Sequence, residues 1–393
     1  MSWQQPGALN AICFCYDDKS RLQRQRDLIN AGFAHIHAQS THLGEIDMSQ
    51  HIDWLSRLLE MMPVTGKLEL HCLYGAPWRV AYEQGAAQDI VYHVILGGEA
   101  WLNDDDGNRE QRLTPGDILL VPAGAPHVLT DGSGAEPAKA TQRQGLNVVI
   151  SENSGQGERL DMLCGRFVLA PPHDRLLGTY LRSRMIVRGT SKSAISPQSV
   201  TRQQMEALVA LMRAEANVEG IGGQAMLNAF SAALFTLALR LASQSHDAPL
   251  GLVALASHVR LAPALNAIFF EPARPWTLSK LASLCNLSRA TLARYFQSSL
   301  GRSATDLLQD VRITLAANAL RVPTTSTAAA ADLAGYRSEA AFQRAFKQHL
   351  GLTPAQWRAS RVAKETADTD DASSTAEPQH GRRKKLRNVL SEA

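Results

Sequence analysis

Long apolar runs are missing from this 393-residue chain. No uninterrupted stretch of about eighteen apolar residues occurs, and the N-terminus lacks the charged start, apolar core and small-residue cleavage site of a secretory signal. No membrane segment is therefore expected. Cysteine is scarce too. The five residues Cys13, Cys15, Cys72, Cys164 and Cys285 are too few and too scattered for a disulfide framework or a four-ligand zinc site. A cytoplasmic protein with free thiols is the expectation. No arrangement of residues reads as a catalytic constellation, so an enzyme is not expected either. Apolar residues at 45% and charged residues at 20% suit a globular chain long enough for two domains or more.

What the chain does hold is a pair of similar patterns towards its C-terminal end. Residues 278–285 read as a short positioning helix with Leu278, Leu281 and Leu284 inward, and Asn286 and Leu287 make a turn. Ser288 is placed to cap the next helix, 289–299, which buries Leu292 and Phe296 one turn apart. Arg289, Ala290, Ala293, Arg294 and Gln297 are left on its outer surface. Some fifty residues on, the logic repeats: a helix over 328–334, a Gly335-Tyr336 turn, Ser338 as cap, and a helix that buries Phe342 and Phe346. Glu339, Ala340, Gln343, Arg344 and Lys347 face out.

These are two helix-turn-helix units, and the second helix of such a unit enters the major groove of DNA. There arginine pairs bidentately with guanine and alanine permits close approach, which makes Arg294 the first choice for a base contact. The amphipathic helix 304–321 is expected to hold the two recognition helices about one turn of DNA apart. Charge agrees with this assignment. Residues 275–361 carry eleven Lys and Arg against four Asp and Glu, more positive than the whole chain at +3, so the remainder is net negative.

On GYRSEAAFQRAFKQHLGLTPAQWR and SATDLLQDVRITLAANAL, the segment 275–358 resembles the AraC/XylS family of bacterial transcription regulators. The resemblance implies promoter DNA as partner, with Arg294 and Arg344 at bases or nearby phosphates and Ala290, Ala293, Glu339 and Gln343 shaping sequence choice. It also implies RNA polymerase as a partner. Glu339 is unusual at a phosphate-facing position and is suited to accept from a cytosine amino group.

Upstream, residues 1–47 show no periodicity and are expected to be a poorly ordered extension. From Leu68 the chain turns to short β-like runs between Gly, Pro and Asp: LELHCLYG, WRVAYEQG, DIVYHVILGGEAWL, GDILLVPAGAPHVL, GLNVVIS and DMLCGRFVLA. That spacing suggests an all-β sandwich or barrel. VILGGEAWL and PGDILLVPAGAPH resemble the two motifs of cupin barrels. Metal-binding cupins offer a His-x-His and a glutamate before that glycine. Here Glu83 stands in the region without a His-x-His, and only His127 is clearly placed, with His93 and Glu99 nearby. No metal and no cofactor is expected, and His93 reads as a core histidine satisfied by hydrogen bonds.

The fold class expected is therefore α+β: a cupin-like β-barrel sensory domain over 48–170, a helical dimerisation region over 200–245, and an all-α DNA-binding domain with two helix-turn-helix units over 255–361. A polar tail, 362–393, is expected to be disordered. The helix 224–243 is apolar almost all round, which fits a homodimer interface or a helix buried within one chain.

From Ile52 through HCLYGAPW and LCGRFVL the chain is similar to the subgroup of AraC-type regulators with a cupin-like domain that includes responders to reactive chlorine. That similarity implies that Cys72 and Cys164 take part in oxidation and switching. Oxidants attack the thiolate, and His71 or Arg166 are candidates to promote it, Arg166 sharing a strand face with Cys164. The alternative is that both cysteines are core residues, as is expected of Cys285. The whole reads as an activator controlled by its sensory domain. The alternatives are a regulator that binds a small ligand in the barrel, or a metal-dependent cupin enzyme carrying a DNA-binding appendage.

Overall fold

The structure is a computed structural model describing residues 53–103, 111–181, 184–189, 197–218, 220–244 and 251–360. The extension 1–47, with Cys13 and Cys15, and the tail 362–393 lie outside the described residues. Within the unit that starts at Asp53, helix α1 (Trp54–Met61) is capped by Asp53, which accepts from Leu55 N. Strands β1 (Val64–Gly75), β2 (Arg79–Tyr82), β3 (Asp89–Gly97), β4 (Ala100–Asn103), β5 (Gln111–Leu113), β6 (Ile118–Val121), β7 (His127–Thr130), β8 (Ala140–Gln144), β9 (Val149–Asn153) and β10 (Arg159–Leu169) follow. After helix α2 (His173–Tyr180) comes β11 (Met185–Val187).

The strands form a seven-stranded sheet, β11-β6-β3-β10-β1-β9-β8, and a four-stranded sheet, β2-β7-β4-β5. The expected barrel is not closed. Each sheet keeps its own edges, β11 and β8 in the large one and β2 and β5 in the small one, and no ladder joins them among the described residues. The strands that the sequence runs did not disclose are β5, β8 and β11. β8 reads ATQRQ and is exposed along most of its length, so it lacks the apolar alternation that marks a half-buried strand.

The central strands β1, β3 and β10 are buried on both faces. Cys72, Ile95, Met162 and Cys164 point between the sheets and meet Val80, Leu102, Leu113 and Leu129 of the small sheet. Leu68, Tyr92, Val94, Leu163 and Phe167 point the other way, into a core shared with helices. Two of those helices are α3 (Pro197–Asn217) and α4 (Gly223–Ser243).

By length and composition α4 could cross a membrane. Instead it lies on β1 and against α3, with Leu227, Ser231, Leu234, Phe235 and Ala238 buried. The approach is close because β1 offers a glycine. A Cβ at Gly66 would sit 2.4 Å from Ala232 N and 2.5 Å from Ser231 Cβ. Beside it, Tyr92 and Ser231 hydroxyls hydrogen-bond at 2.7 Å. Gly66→Ala should therefore push α4 off the sheet and lower stability by about 1 to 3 kcal/mol. A thermal melt identical to the parent protein would refute this account of the contact.

The C-terminal part comprises α5 (Leu252–Ser257), α6 (Ala262–Phe270), α7 (Leu278–Leu284), α8 (Arg289–Leu300), α9 (Ala304–Ala319), α10 (Thr327–Leu333) and α11 (Glu339–Leu350). Its packing crosses the expected boundary near residue 255. Trp54 of α1 meets Phe269 of α6 with ring centroids 6.3 Å apart. One continuous core runs from Phe167 on the sheet through Phe235 of α4 to Leu281, Leu292 and Phe296 of the first helix-turn-helix. The second unit has a core of its own, built on Phe342, Phe346, Ala330, Ala331 and Trp357. Helix α9 serves both: Leu307, Leu308 and Val311 belong to the first core, and Ile313, Ala316 and Ala317, with Leu320 at its C-cap, to the second.

Candidate nucleic-acid interface and buried thiol site

Both recognition helices, α8 and α11, are held by the same local devices. Ser288 and Ser338 accept from Thr291 N and Ala341 N at the N-termini, satisfying donors that would otherwise be orphaned. Gly301 (φ 68) and Gly351 (φ 77) end the helices in the left-handed region that favours glycine. The intervening turns also need a left-handed residue, Asn286 (φ 52) in the first unit and Gly335 (φ 72) in the second. Arg289, Ala290, Arg294 and Gln297 are exposed on α8 and Ala293 is half-buried. On α11, Glu339, Ala340, Gln343, Arg344 and Lys347 are all exposed. Gln343 donates to Glu339 at 3.0 Å, which orients the amide one turn along the helix. Leu284, expected inward, is 42% exposed, because Leu281, Ala282 and Cys285 carry the inward face of the first unit.

Asp310, on α9, gathers contacts from three directions. Its carboxylate accepts from Arg302, just beyond α8, at 2.9 Å and lies 3.2 Å from Nδ1 of His349, in the last turn of α11. Tyr180 of α2 donates to the same carboxylate, and Arg302 lies over the Tyr180 ring. Close by, His173 donates to Asn318 Oδ1 at 2.8 Å, and Asn318 donates to Met61 O at 2.7 Å. Helices of the N-terminal part thus contact the helix that joins the two helix-turn-helix units.

Between the sheets, Cys72 and Cys164 face each other with sulfurs 3.7 Å apart. They are diagonal neighbours on one face, since Cys72 pairs with Met162 and Leu70 with Cys164. Around them, His93 Nδ1 lies 3.1 Å from Cys164 Sγ, and His93 Nε2 lies 2.8 Å from His127 Nε2. Tyr82 donates to Cys164 and stacks on His127. Burial, then the Cys72 sulfur, pushes the Cys164 thiol well above its ordinary value. Burial, then His127, holds His93 well below the usual imidazole value.

The sequence pointed to other partners for sulfur, and the structure corrects it. His71 is committed to Asp161 at 2.8 Å, and Arg166 to Glu69 at 2.7 Å and Asp89 at 3.0 Å. His93 and His127 hold the place instead, from positions 34 residues apart. They do not fit a cupin metal site, because their Nε2 atoms bond to each other. Glu99 pairs with Arg112 at 2.7 Å and Glu83 is exposed. Among the described residues no group of three His, Cys, Asp or Glu is arranged to hold a metal ion. Cys285 is buried beneath the first helix-turn-helix.

Two tandem helix-turn-helix units joined to a two-sheet N-terminal domain define a DNA-binding regulator of transcription. Comparison with known proteins agrees with this class. The pattern described as Cupin matches residues 53–243, and that described as Helix-turn-helix domain matches residues 281–360. An uncharacterised HTH-type transcriptional regulator of Haemophilus influenzae is 28% identical over 79% of this chain and 99% of its own length. The HTH-type transcriptional regulator MtrA of Neisseria gonorrhoeae is 26% identical, over 78% and 98%. The RCS-specific HTH-type transcriptional activator RclR of Escherichia coli is 24% identical, over 78% and 97%. The chain is a DNA-binding transcription regulator with a cupin-like N-terminal domain, similar in sequence to AraC-type regulators.

Proposed function

We propose that the protein is a cytoplasmic activator, without enzymatic activity, whose promoter contacts come from α8 and α11 and whose signal is oxidation of Cys72 and Cys164 to a disulfide. Arg289, Ala290, Ala293, Arg294 and Gln297 read one major groove, and Glu339, Ala340, Gln343, Arg344 and Lys347 read the next. The observation that carries the signal half of the reading is the 3.7 Å sulfur separation on adjacent strands. A disulfide needs about 2.05 Å, so closing the bond draws β1 towards β10. Strand β1 carries α4 on its other face, at Gly66. The likeness to RclR, whose name marks it as RCS-specific, supports an oxidant as the effector.

A homodimer is the assembly that fits the exposed apolar residues of the α3–α4 hairpin. Leu211, Val218, Ile221 and Met226 are 54%, 57%, 105% and 45% exposed, and a second copy would cover them. RNA polymerase is the partner that an activator requires.

The test is a promoter reporter exposed to mild hypochlorite. Cys72→Ser and Cys164→Ser should each abolish the oxidant response while leaving DNA binding by the reduced protein in place. An intact response in both variants, singly and combined, sinks the oxidation reading and leaves the DNA-binding identity untouched.

A further inference from the structure

The histidines beside the thiols give the two sulfurs unequal chemistry. A carbonyl can only accept, so the 2.9 Å contact to Ala125 O places a proton on His127 Nδ1, and in the neutral form of this ring Nε2 is left to accept from His93. His93 must then donate from Nε2, which leaves its Nδ1 bare and 3.1 Å from Cys164 Sγ. The Cys164 S–H fills that lone pair, so Cys72 is the donor in the contact between the sulfurs. Tyr82 donates to the same sulfur at 3.6 Å. Cys164 therefore has a base before it and two donors aimed at it. Among the described residues Cys72 has no base beside it: the groups coupled to it are Cys164, Tyr82 and the Tyr74 hydroxyl, which is bonded to Ser151 at 2.7 Å and kept neutral by burial.

We infer that Cys164 is the sulfur attacked by a small neutral two-electron oxidant, with His93, oriented by His127, taking its proton, and that Cys72 is the resolving thiol. This rests on the oxidation reading above and adds an order of events and a proton path. At rest both the thiol and the imidazole are neutral, which suits a dry interior. Among the described residues, the titratable groups coupled to Cys164 are Cys72, Tyr74 and Glu69 from β1, Tyr82 from β2, Tyr92 and His93 from β3 and, through His93, His127 from β7.

With hypochlorous acid, the Cys164 proton passes to His93 Nδ1 as sulfur forms a bond to chlorine and the Cl–O bond breaks. The departing hydroxide recovers the proton from His93 and leaves as water. Sulfur has lost two electrons and chlorine has gained them. While negative charge sits on Cys164, the Tyr82 O–H and Cys72 S–H stabilise it, and His127 keeps the His93 ring in place. Cys72 then attacks: the S–S bond forms, the S–Cl bond breaks, chloride leaves, and the Cys72 proton goes to His93 and on to solvent. With hydrogen peroxide the O–O bond breaks, Cys164 becomes a sulfenic acid, and each step releases water.

The experiment uses reduced full-length protein and hydrogen peroxide, with quenched samples read by mass spectrometry and a sulfenic-acid trap. Cys72→Ser, which removes the resolving sulfur, should accumulate the trapped sulfenic acid on Cys164. In Cys164→Ser, Cys72 should react slower by on the order of a hundredfold, the usual worth of a positioned base. His93→Gln should slow Cys164 by the same order, and its rate should then climb with pH, roughly tenfold per unit, as hydroxide replaces the base. If His93→Gln melts early, His127→Phe keeps the His93 imidazole without its acceptor and should slow Cys164 in the same direction. Fast oxidation of Cys72 in Cys164→Ser, or a parent-like rate and pH profile in both histidine variants, overturns the assigned order and base while leaving the disulfide reading intact. Parent protein that keeps both thiols under peroxide and hypochlorite overturns the oxidation reading itself.

Discussion

Replacing Arg294 and Arg344 together with alanine is expected to weaken promoter binding by about 2 to 6 kcal/mol, from roughly thirtyfold to more than ten-thousandfold. Each guanidinium, if bidentate to a guanine, is worth about 1 to 3 kcal/mol of discrimination. The two sit on separate helices, α8 and α11, and touch no common group, so their losses should add. Both residues are exposed. The melting temperature should therefore barely move, which separates lost contacts from lost structure. Fluorescence anisotropy on the cognate promoter at two salt concentrations is the measurement. Unchanged affinity and unchanged salt slope would remove these arginines from the interface. A fall that is equal on cognate and random DNA would make them phosphate contacts rather than base readers.

Phe346→Ala and Phe296→Ala should have comparable costs and different reach. Each removes a fully buried ring, worth roughly 3 to 5 kcal/mol. Phe346 belongs to the small core of the second helix-turn-helix, where its ring centroid is 6.4 Å from that of Trp357. Its loss should melt that unit alone, seen as an early tryptophan transition and as proteolysis confined to residues beyond α9. Phe296 belongs to the core that continues into the seven-stranded sheet, so its loss should lower one broad transition that includes the thiol site. If Phe346→Ala instead lowers the whole transition uniformly, the two cores are not energetically separate.

Much of the DNA-reading region was legible because its signals are local. Serine caps, left-handed residues after each helix, and aromatic residues one turn apart all act within a few positions. Leu284 lies outward against its expected position because a seven-residue helix samples too few turns to fix its inward stripe, which is centred on Leu281, Ala282 and Cys285. The cupin-like runs showed strands but not sheets. Whether a ladder closes is decided by partners far apart in sequence, and periodicity carries no information about it. The thiol environment was hidden for the same reason. His93 and Cys164 are 71 residues apart, and the motif position of His127 drew attention to metal binding. One usable signal was present: His93 pairs opposite Cys164 in the β3–β10 ladder, so a register alignment of those strands would have placed them side by side.

The continuity of packing from the sheet to the first helix-turn-helix has a thermodynamic corollary. If joining Cys72 to Cys164 alters the preferred spacing of α8 and α11, the coupling must run in both directions. A promoter whose half-sites match the oxidised spacing would raise the tendency of the thiols to oxidise by the same factor by which oxidation tightens binding. Molecules already seated on a matching promoter would then have a different midpoint potential from those free in solution, and each operator sequence would set its own threshold for the alarm it answers.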